Sequence, residues 1–147
     1  MCGIIGVVSR PGGRPAPGPD EILAGLDEAM AAIPDAAAVS SALTQLDRSL
    51  RGEPGVAALV DRHELITAMT SSLDQLDAFA DELERDLDAD RLSPEELETG
   101  ARSVSALRDA LWSIRRDRLR AAAAVAELAG RDASRAALAG YLSVQQA

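Results

Sequence analysis

The chain has 147 residues, which is enough for one domain with a hydrophobic core and too few for two large ones. Its net charge of −9 disfavours a nucleic-acid partner, and the sequence offers no basic face for a membrane surface. Hydrophobic residues make up 47% of the chain but aromatic residues only 2%, so aliphatic side chains and alanine must build the core, which favours helices. All the basic residues are arginine, a bias that we interpret as the genome composition of a high-GC bacterium.

The cysteine content and the lengths of the apolar runs indicate the cellular compartment of the protein. A single cysteine cannot form an internal disulfide, so nothing requires an oxidising environment. The longest early apolar run is too short for a signal peptide, and no stretch approaches the ~20 residues needed to cross a bilayer. We therefore expect a cytoplasmic protein with no membrane partner.

Two short segments open the chain. Residues 1–9 contain β-branched residues and glycine without helical periodicity, which predicts one short N-terminal β-strand. Residues 10–19, with the sequence RPGGRPAPGP, are too rich in proline and glycine for a helix or a central strand. This second segment is predicted to be a linker.

A helical bundle is predicted over residues 20–130. Apolar residues recur there at spacings of three and four, as on the buried face of a helix. Proline and glycine positions divide the pattern into four helices, at 20–33, 35–50, 56–87 and 94–129. The last two carry heptad seams. The seam residues are Ile66, Met69, Leu73, Leu76, Ala80, Leu83 and Leu87, followed by Leu97, Gly100, Val104, Leu107, Leu111, Ile114, Arg118, Ala121, Val125 and Leu128.

The signals between these helices predict how they are arranged. Ser93 and Glu96 form a capping-box pattern with Pro94 at the first helical position. The short connection before Ser93 predicts that the last two helices fold back as an antiparallel hairpin. A C-terminal helix is expected over residues 131–147. The predicted fold is therefore mainly α: an antiparallel helical bundle with a long heptad-patterned hairpin, preceded by one short β-strand.

Cys2 is the candidate catalytic residue. Initiator methionine is usually removed before a small residue such as cysteine, which leaves a free α-amine on the residue that carries the thiol. An amine with a pKa of roughly 7.7–8.0 is partly neutral at pH 7 and can act as the general base for that thiol. The adjacent Gly3 allows a substrate or another backbone segment to approach closely. This position therefore favours nucleophilic catalysis without a histidine.

The segment Met1-Cys2-Gly3-Ile4-Ile5-Gly6 resembles the start of the N-terminal-nucleophile (class II) glutamine amidotransferases, especially glucosamine-6-phosphate synthase, the glutamine–fructose-6-phosphate transaminase. The resemblance implies that Cys2 attacks the side-chain amide of L-glutamine, forms a γ-glutamyl thioester and releases ammonia. In that family the ammonia passes to a sugar-phosphate domain. The resemblance implies no cofactor and no metal.

The resemblance covers only about residues 2–8. The family's Arg-Gly-Tyr-Asp-Ser-Ala-Gly-like segment is missing, and a chain without asparagine cannot contain the Asn-Gly pair that stabilises the oxyanion. Two explanations fit: the chain is an N-terminal piece of a longer enzyme, or it has kept the strand and lost the rest. Under the first explanation, the bundle is an insertion, the sugar-phosphate domain lies downstream, and this short chain is expected to be inactive or nearly so.

The alternative function is a non-enzymatic helical interaction or oligomerisation module with an incidental Cys2. Its long seams would bury against a partner, and a homo-oligomer through them is one expectation. Other polar candidates favour structural interpretations. His63 has no nearby second ligand for zinc, and Arg118 on the fourth-helix seam predicts an ion pair or a snorkelling side chain. The acidic run from Asp81 to Asp90 lacks the pattern of a calcium loop. Trp112 is expected to be partly buried beside the seam, whereas an exposed Trp112 would indicate an interface.

Overall fold

The structure is a computed structural model that describes residues 14–89 and 93–129, with side chains up to residue 127. The described residues are mainly helical, which confirms that part of the fold prediction. The predicted β-strand at 1–9, the first part of the linker and the C-terminal helix at 131–147 lie outside the described residues. The helices are α1 (Pro19–Ala31), α2 (Ala36–Ser49), α3 (Gly52–Leu59), α4 (His63–Leu87), α5 (Pro94–Trp112) and α6 (Arg120–Ala129), with a π-helical segment (Ser113–Leu119) joining the last two.

The helix ends follow local capping chemistry. Asp35 accepts hydrogen bonds from the backbone N–H groups of Ala37 and Ala38, at 3.0 and 3.1 Å, and so begins α2. At the start of α5, the Ser93 hydroxyl accepts from the Glu96 N–H, while the Glu96 carboxylate accepts from the Ser93 N–H at 2.9 Å. The predicted capping box is therefore present, with Pro94 in the first turn.

The predicted third helix over 56–87 was wrong in one respect, because it is two helices. α3 already begins at Gly52, and α4 begins only at His63. Between them Asp61 has a φ of 59°, in the left-handed region that aspartate tolerates better than most residues. This turn breaks the helix and lets α3 pack against α6, while α4 packs against α1 and α5.

The predicted fourth helix over 94–129 was also wrong as a uniform α-helix. α-Helical hydrogen bonding stops after Trp112 and resumes at Arg120, and the seven residues between them are π-helical. A π segment is uncommon and is stabilised by particular contacts rather than by helix propensity. Its contacts therefore decide how α6 is oriented.

The core is mostly aliphatic and lies mainly between α1, α2, α4 and α5, with Leu59 of α3 and Ile114 of the π-helical segment added to it. α4 and α5 run in opposite directions, because Leu87 lies against Gly100 while Asp74, near the other end of α4, pairs with Arg115. Of the predicted seam residues, Met69, Leu73 and Leu76 on α4 and Val104, Leu107 and Leu111 on α5 are buried, whereas Leu97 is 44% exposed. The fully buried large side chains are Ile22, Leu26, Val39, Leu43, Leu50, Leu59, Met69, Leu73, Leu76, Leu107, Leu111 and Ile114.

Candidate functional site

The predicted nucleophile Cys2 lies outside the described residues, so the structure places no catalytic thiol. The described chain nevertheless begins at a fixed point. Arg14 donates hydrogen bonds to the carbonyl oxygens of Arg48, Ser49 and Arg51, at 2.8, 2.9 and 2.7 Å. Arg48 and Ser49 are the last residues of α2, and Arg51 follows just beyond it. A cation is favoured at a helix C-terminus by both the unsatisfied acceptors and the helix dipole. These three hydrogen bonds hold Arg14 against the end of α2.

Among the charged residues that the structure describes, Asp47 on the inner face of α2 is the most buried. Asp47 is 3% exposed. Its Oδ1 accepts hydrogen bonds from Ser113 Oγ at 2.8 Å and Arg118 Nε at 2.9 Å. Its Oδ2 accepts from Arg51 Nε at 3.0 Å and Arg51 Nη2 at 2.9 Å. We call these four residues the Asp47 cluster.

The Asp47 cluster accounts for the π-helical segment. In an α-helix, Ser113 and Arg118 would point about 140° apart, because five residues turn the helix by about 500°. The i→i+5 pattern of a π-helix brings such residues to the same face. Both side chains can therefore reach one carboxylate on α2. The seam position Arg118, expected from sequence to form an ion pair or to snorkel, forms an ion pair with Asp47.

The electrostatics of Asp47 indicate a structural role. Burial alone would raise the pKa of Asp47, but hydrogen bonds from Arg118, Ser113 and Arg51 outweigh that effect and lower the pKa below its ordinary value of 3.8. The carboxylate is therefore charged at neutral pH, and its lone pairs are occupied by protein donors. Such a group orients a backbone segment and is poorly suited to act as a general base.

A second set of charges lies between α4 and α5. Arg108 reaches Asp77 and Asp81, and it donates to both carboxylate oxygens of Glu84 at 3.0 Å. The carboxylates of Glu84 and Asp81 raise the pKa of Arg108, and Arg108 lowers the pKa of Glu84. Part of the acidic run in the sequence therefore forms ion pairs across the helix interface.

Three arginines at the junction of α5 and α6 have different partners. Arg115 pairs with Asp74 and Asp77, each at 2.7 Å, while its buried Nε has no hydrogen-bond partner in the structure. Arg118 belongs to the Asp47 cluster. The guanidinium of Arg116 lies over the ring of Trp112, 5.2 Å from its centroid, in a cation–π arrangement. Different neighbours thus engage these three cations.

Trp112 is more exposed than the sequence predicted. Its side chain, expected to be partly buried, is 55% exposed and lines a groove of about 510 Å³. We call this the Trp112 groove. Its lining residues are Asp77, Arg108, Asp109, Leu111, Trp112 and Arg115.

His63 begins α4 and lines a separate open groove of about 620 Å³ with Pro19 and Leu23. The side chain is exposed, and within residues 14–89 and 93–129 no three potential ligands are grouped to hold a metal ion. No helix in the part of the chain that the structure describes is long and apolar enough to span a membrane.

No protein-family model, no curated protein and no solved structure matches this chain. The amidotransferase resemblance therefore rests on the opening residues alone, and the role of the bundle has to be argued from its own contacts.

Proposed function

We propose that this chain carries the N-terminal nucleophile of a glutamine amidotransferase, with Cys2 as the attacking residue. The observation that carries the proposal is the opening segment Met1-Cys2-Gly3-Ile4-Ile5-Gly6. Removal of Met1 would place the thiol and a free α-amine on one residue, which is the requirement for a self-activating nucleophile. Cys2 is also the only cysteine in the sequence.

The proposed reaction has two steps. The α-amine of Cys2 takes the thiol proton, and the thiolate attacks the side-chain carbonyl carbon of L-glutamine. The tetrahedral intermediate collapses to a γ-glutamyl thioester as the amide nitrogen leaves with a proton as ammonia. Water then hydrolyses the thioester to glutamate and regenerates the thiol. Both tetrahedral intermediates require oxyanion donors.

The pocket for glutamine belongs, in this proposal, to sequence beyond Ala147. The chain has no asparagine for the oxyanion site. Ammonia would pass to a sugar-phosphate domain further along the same polypeptide, and the enzyme would work in the cytoplasm. The 147 residues alone would be inactive or nearly so.

The helical bundle is proposed to be an accessory insertion that follows the nucleophile strand. Its apolar side chains are already buried against each other, so the bundle holds its own core. Arg14 ties the residues that follow the nucleophile segment to the end of α2. An insertion built in this way can add a surface to an enzyme without supplying catalytic groups.

A second candidate function is a helical interaction module, and the exposed Trp112 favours it. Tryptophan is enriched at the energetic centres of protein interfaces, and a half-exposed tryptophan beside a groove is a typical anchor. This function does not require Cys2. The interior positions of the predicted heptad seams pack within the chain, so a partner would contact another face.

The test of the amidotransferase proposal is ammonia release from L-glutamine by the untagged product of the reading frame extended past Ala147. Cys2→Ala should lower the rate by at least about a thousandfold. Asp27→Ala, an exposed change on α1, serves as the matched control and should leave it unchanged. A stop codon directly after Ala147, or full activity in Cys2→Ala, would overturn the proposal.

A further inference from the structure

We call the exposed surface formed by Asp109, Trp112 and Arg116 the Trp112 face. It carries a charged side chain on each side of the tryptophan. Asp109 lies three residues before Trp112 and Arg116 four residues after it, and all three side chains are exposed. Within residues 14–89 and 93–129, Asp109 makes no ion pair, and Arg116 contacts the ring of Trp112. The face therefore presents an acidic group, an aromatic group and a basic group in order along one helix surface.

This order is self-complementary under two-fold symmetry. If two copies pack with these helices antiparallel, and the axis passes beside Trp112, residue 109 of one copy lies opposite residue 116 of the other. Each Asp109 then faces a cation and the two tryptophans meet at the axis. Such an isologous contact repeats the same pair twice.

We propose that the Trp112 face is a homodimer interface, in which Asp109 pairs with Arg116 of the partner subunit and Trp112 contacts Trp112 of the partner subunit. The oligomer predicted from the sequence would form through the heptad seams. Met69, Leu73 and Leu107 in those seams are fully buried within one chain, so they cannot contact a second copy. The Trp112 face remains exposed. The proposal is independent of Cys2 and holds whether or not the chain is part of an amidotransferase.

The favourable burial of tryptophan and the unfavourable repulsion between two acidic copies together predict a weak dimer. The aromatic contact is favourable, since tryptophan burial dominates many interfaces. Two copies that each carry a net charge of −9 repel one another at long range, although salt screens this beyond about 8 Å at physiological ionic strength. Matching Asp109 with Arg116 places opposite charges where the surfaces are closest. The association should therefore be reversible and dependent on concentration.

Charge-reversal variants of the 147-residue chain test this arrangement by analytical ultracentrifugation over a concentration series. Asp109→Arg places two cations opposite each other, and Arg116→Glu places two carboxylates opposite each other, so each variant alone should be monomeric. Mixing the two variants should restore dimers, because every contact then joins opposite charges. Asp27→Arg makes the same charge change as Asp109→Arg on α1 and should dimerise like the unmodified chain.

Trp112→Ala provides an independent measurement and should weaken self-association at least about thirtyfold. Circular dichroism of every variant checks that the helices remain. A concentration of about 1 mM is high enough to detect weak complexes. A wild-type chain that stays monomeric up to this concentration would overturn the proposal, and a different protein would then be the candidate partner of the Trp112 face. A wild-type dimer that neither single reversal weakens, or reversals that mixing fails to rescue, would also overturn it.

Discussion

Replacing Asp47 with alanine should be among the most destabilising single changes in the described bundle. The substitution removes the carboxylate that accepts from Ser113, Arg118 and Arg51. Arg51 is 60% exposed and can return to water, whereas the Arg118 side chain is 17% exposed and would be left without its ion-pair partner. Breaking a buried pair from one side costs about 3–5 kcal/mol. The partial exposure of Arg118 places the expected loss near the lower end, at about 3 kcal/mol.

Urea denaturation followed by circular dichroism measures this loss directly. A change of about 3 kcal/mol corresponds to a fall in Tm of about 10 °C for a domain of this size. Asp27→Ala is the matched control and should stay within about 0.5 kcal/mol of the unmodified protein. The double variant Asp47→Ala, Arg118→Met removes both buried charges and should be more stable than Asp47→Ala alone. A loss below about 1 kcal/mol, or no recovery in the double variant, would refute this account of the cluster.

The lowered pKa of Asp47 gives the same contact a pH dependence. The folded-state pKa lies below the ordinary value of 3.8, so the charged carboxylate stabilises the fold above that pH. This contribution is lost as the pH falls through the lowered pKa, because the folded protein must then take up a proton. The stability difference between the unmodified protein and Asp47→Ala should thus be constant near neutrality and shrink as the pH falls below about 4. A difference that stays unchanged across this range would contradict the pKa assignment.

Three further stability predictions can be checked by the same denaturation assay. Gly55→Ala should cost at least about 3 kcal/mol, because the new Cβ would lie 1.8 Å from the backbone oxygen of Leu50, whereas Gly18→Ala has no atom within 4 Å and should cost less than about 1 kcal/mol. Equal losses would contradict the packing. Ser93→Ala should cost about 1 kcal/mol by removing the N-cap, and Ser93→Thr should retain most of it; a neutral alanine variant would mean that the cap contributes nothing. Arg108→Met should cost about 1 kcal/mol at low salt and less in about 1 M NaCl, and a loss insensitive to salt would argue against the ion pairs.

The features predicted well from the sequence are those set by neighbouring residues. The Ser93–Glu96 capping box begins α5, as expected, and α1 begins at Pro19, one residue before the predicted helix. Apolar spacing also identified buried positions such as Leu73 on α4 and Leu107 on α5, although it included the exposed Leu97. These signals operate within one or two helical turns, so a single sequence contains them.

The features that sequence reasoning missed depend on distant contacts. Ser113 and Arg118 of the π-helical segment donate hydrogen bonds to Asp47. Asp47 lies 66 residues before Ser113 and 71 residues before Arg118. Arg118 was identified as a charged residue on an apolar seam, but no neighbouring residue in the sequence indicated that Asp47 is its partner. The break at Asp61 has a similar origin, because the apolar pattern continues past it and the packing of α3 on α6 separates the two helices. The candidate nucleophile, in contrast, is known only from its sequence.

The most direct test of the central claim is the intact mass of the untagged, extended protein after treatment with the glutamine analogue 6-diazo-5-oxo-norleucine. The account predicts that Met1 is absent and that one adduct forms on Cys2. Excess L-glutamine should slow that labelling, and Cys2→Ser should abolish it. Retention of Met1 would leave Cys2 without a free α-amine and contradict the proposal. Labelling that glutamine does not slow would contradict it equally, because the thiol would then react without a glutamine pocket.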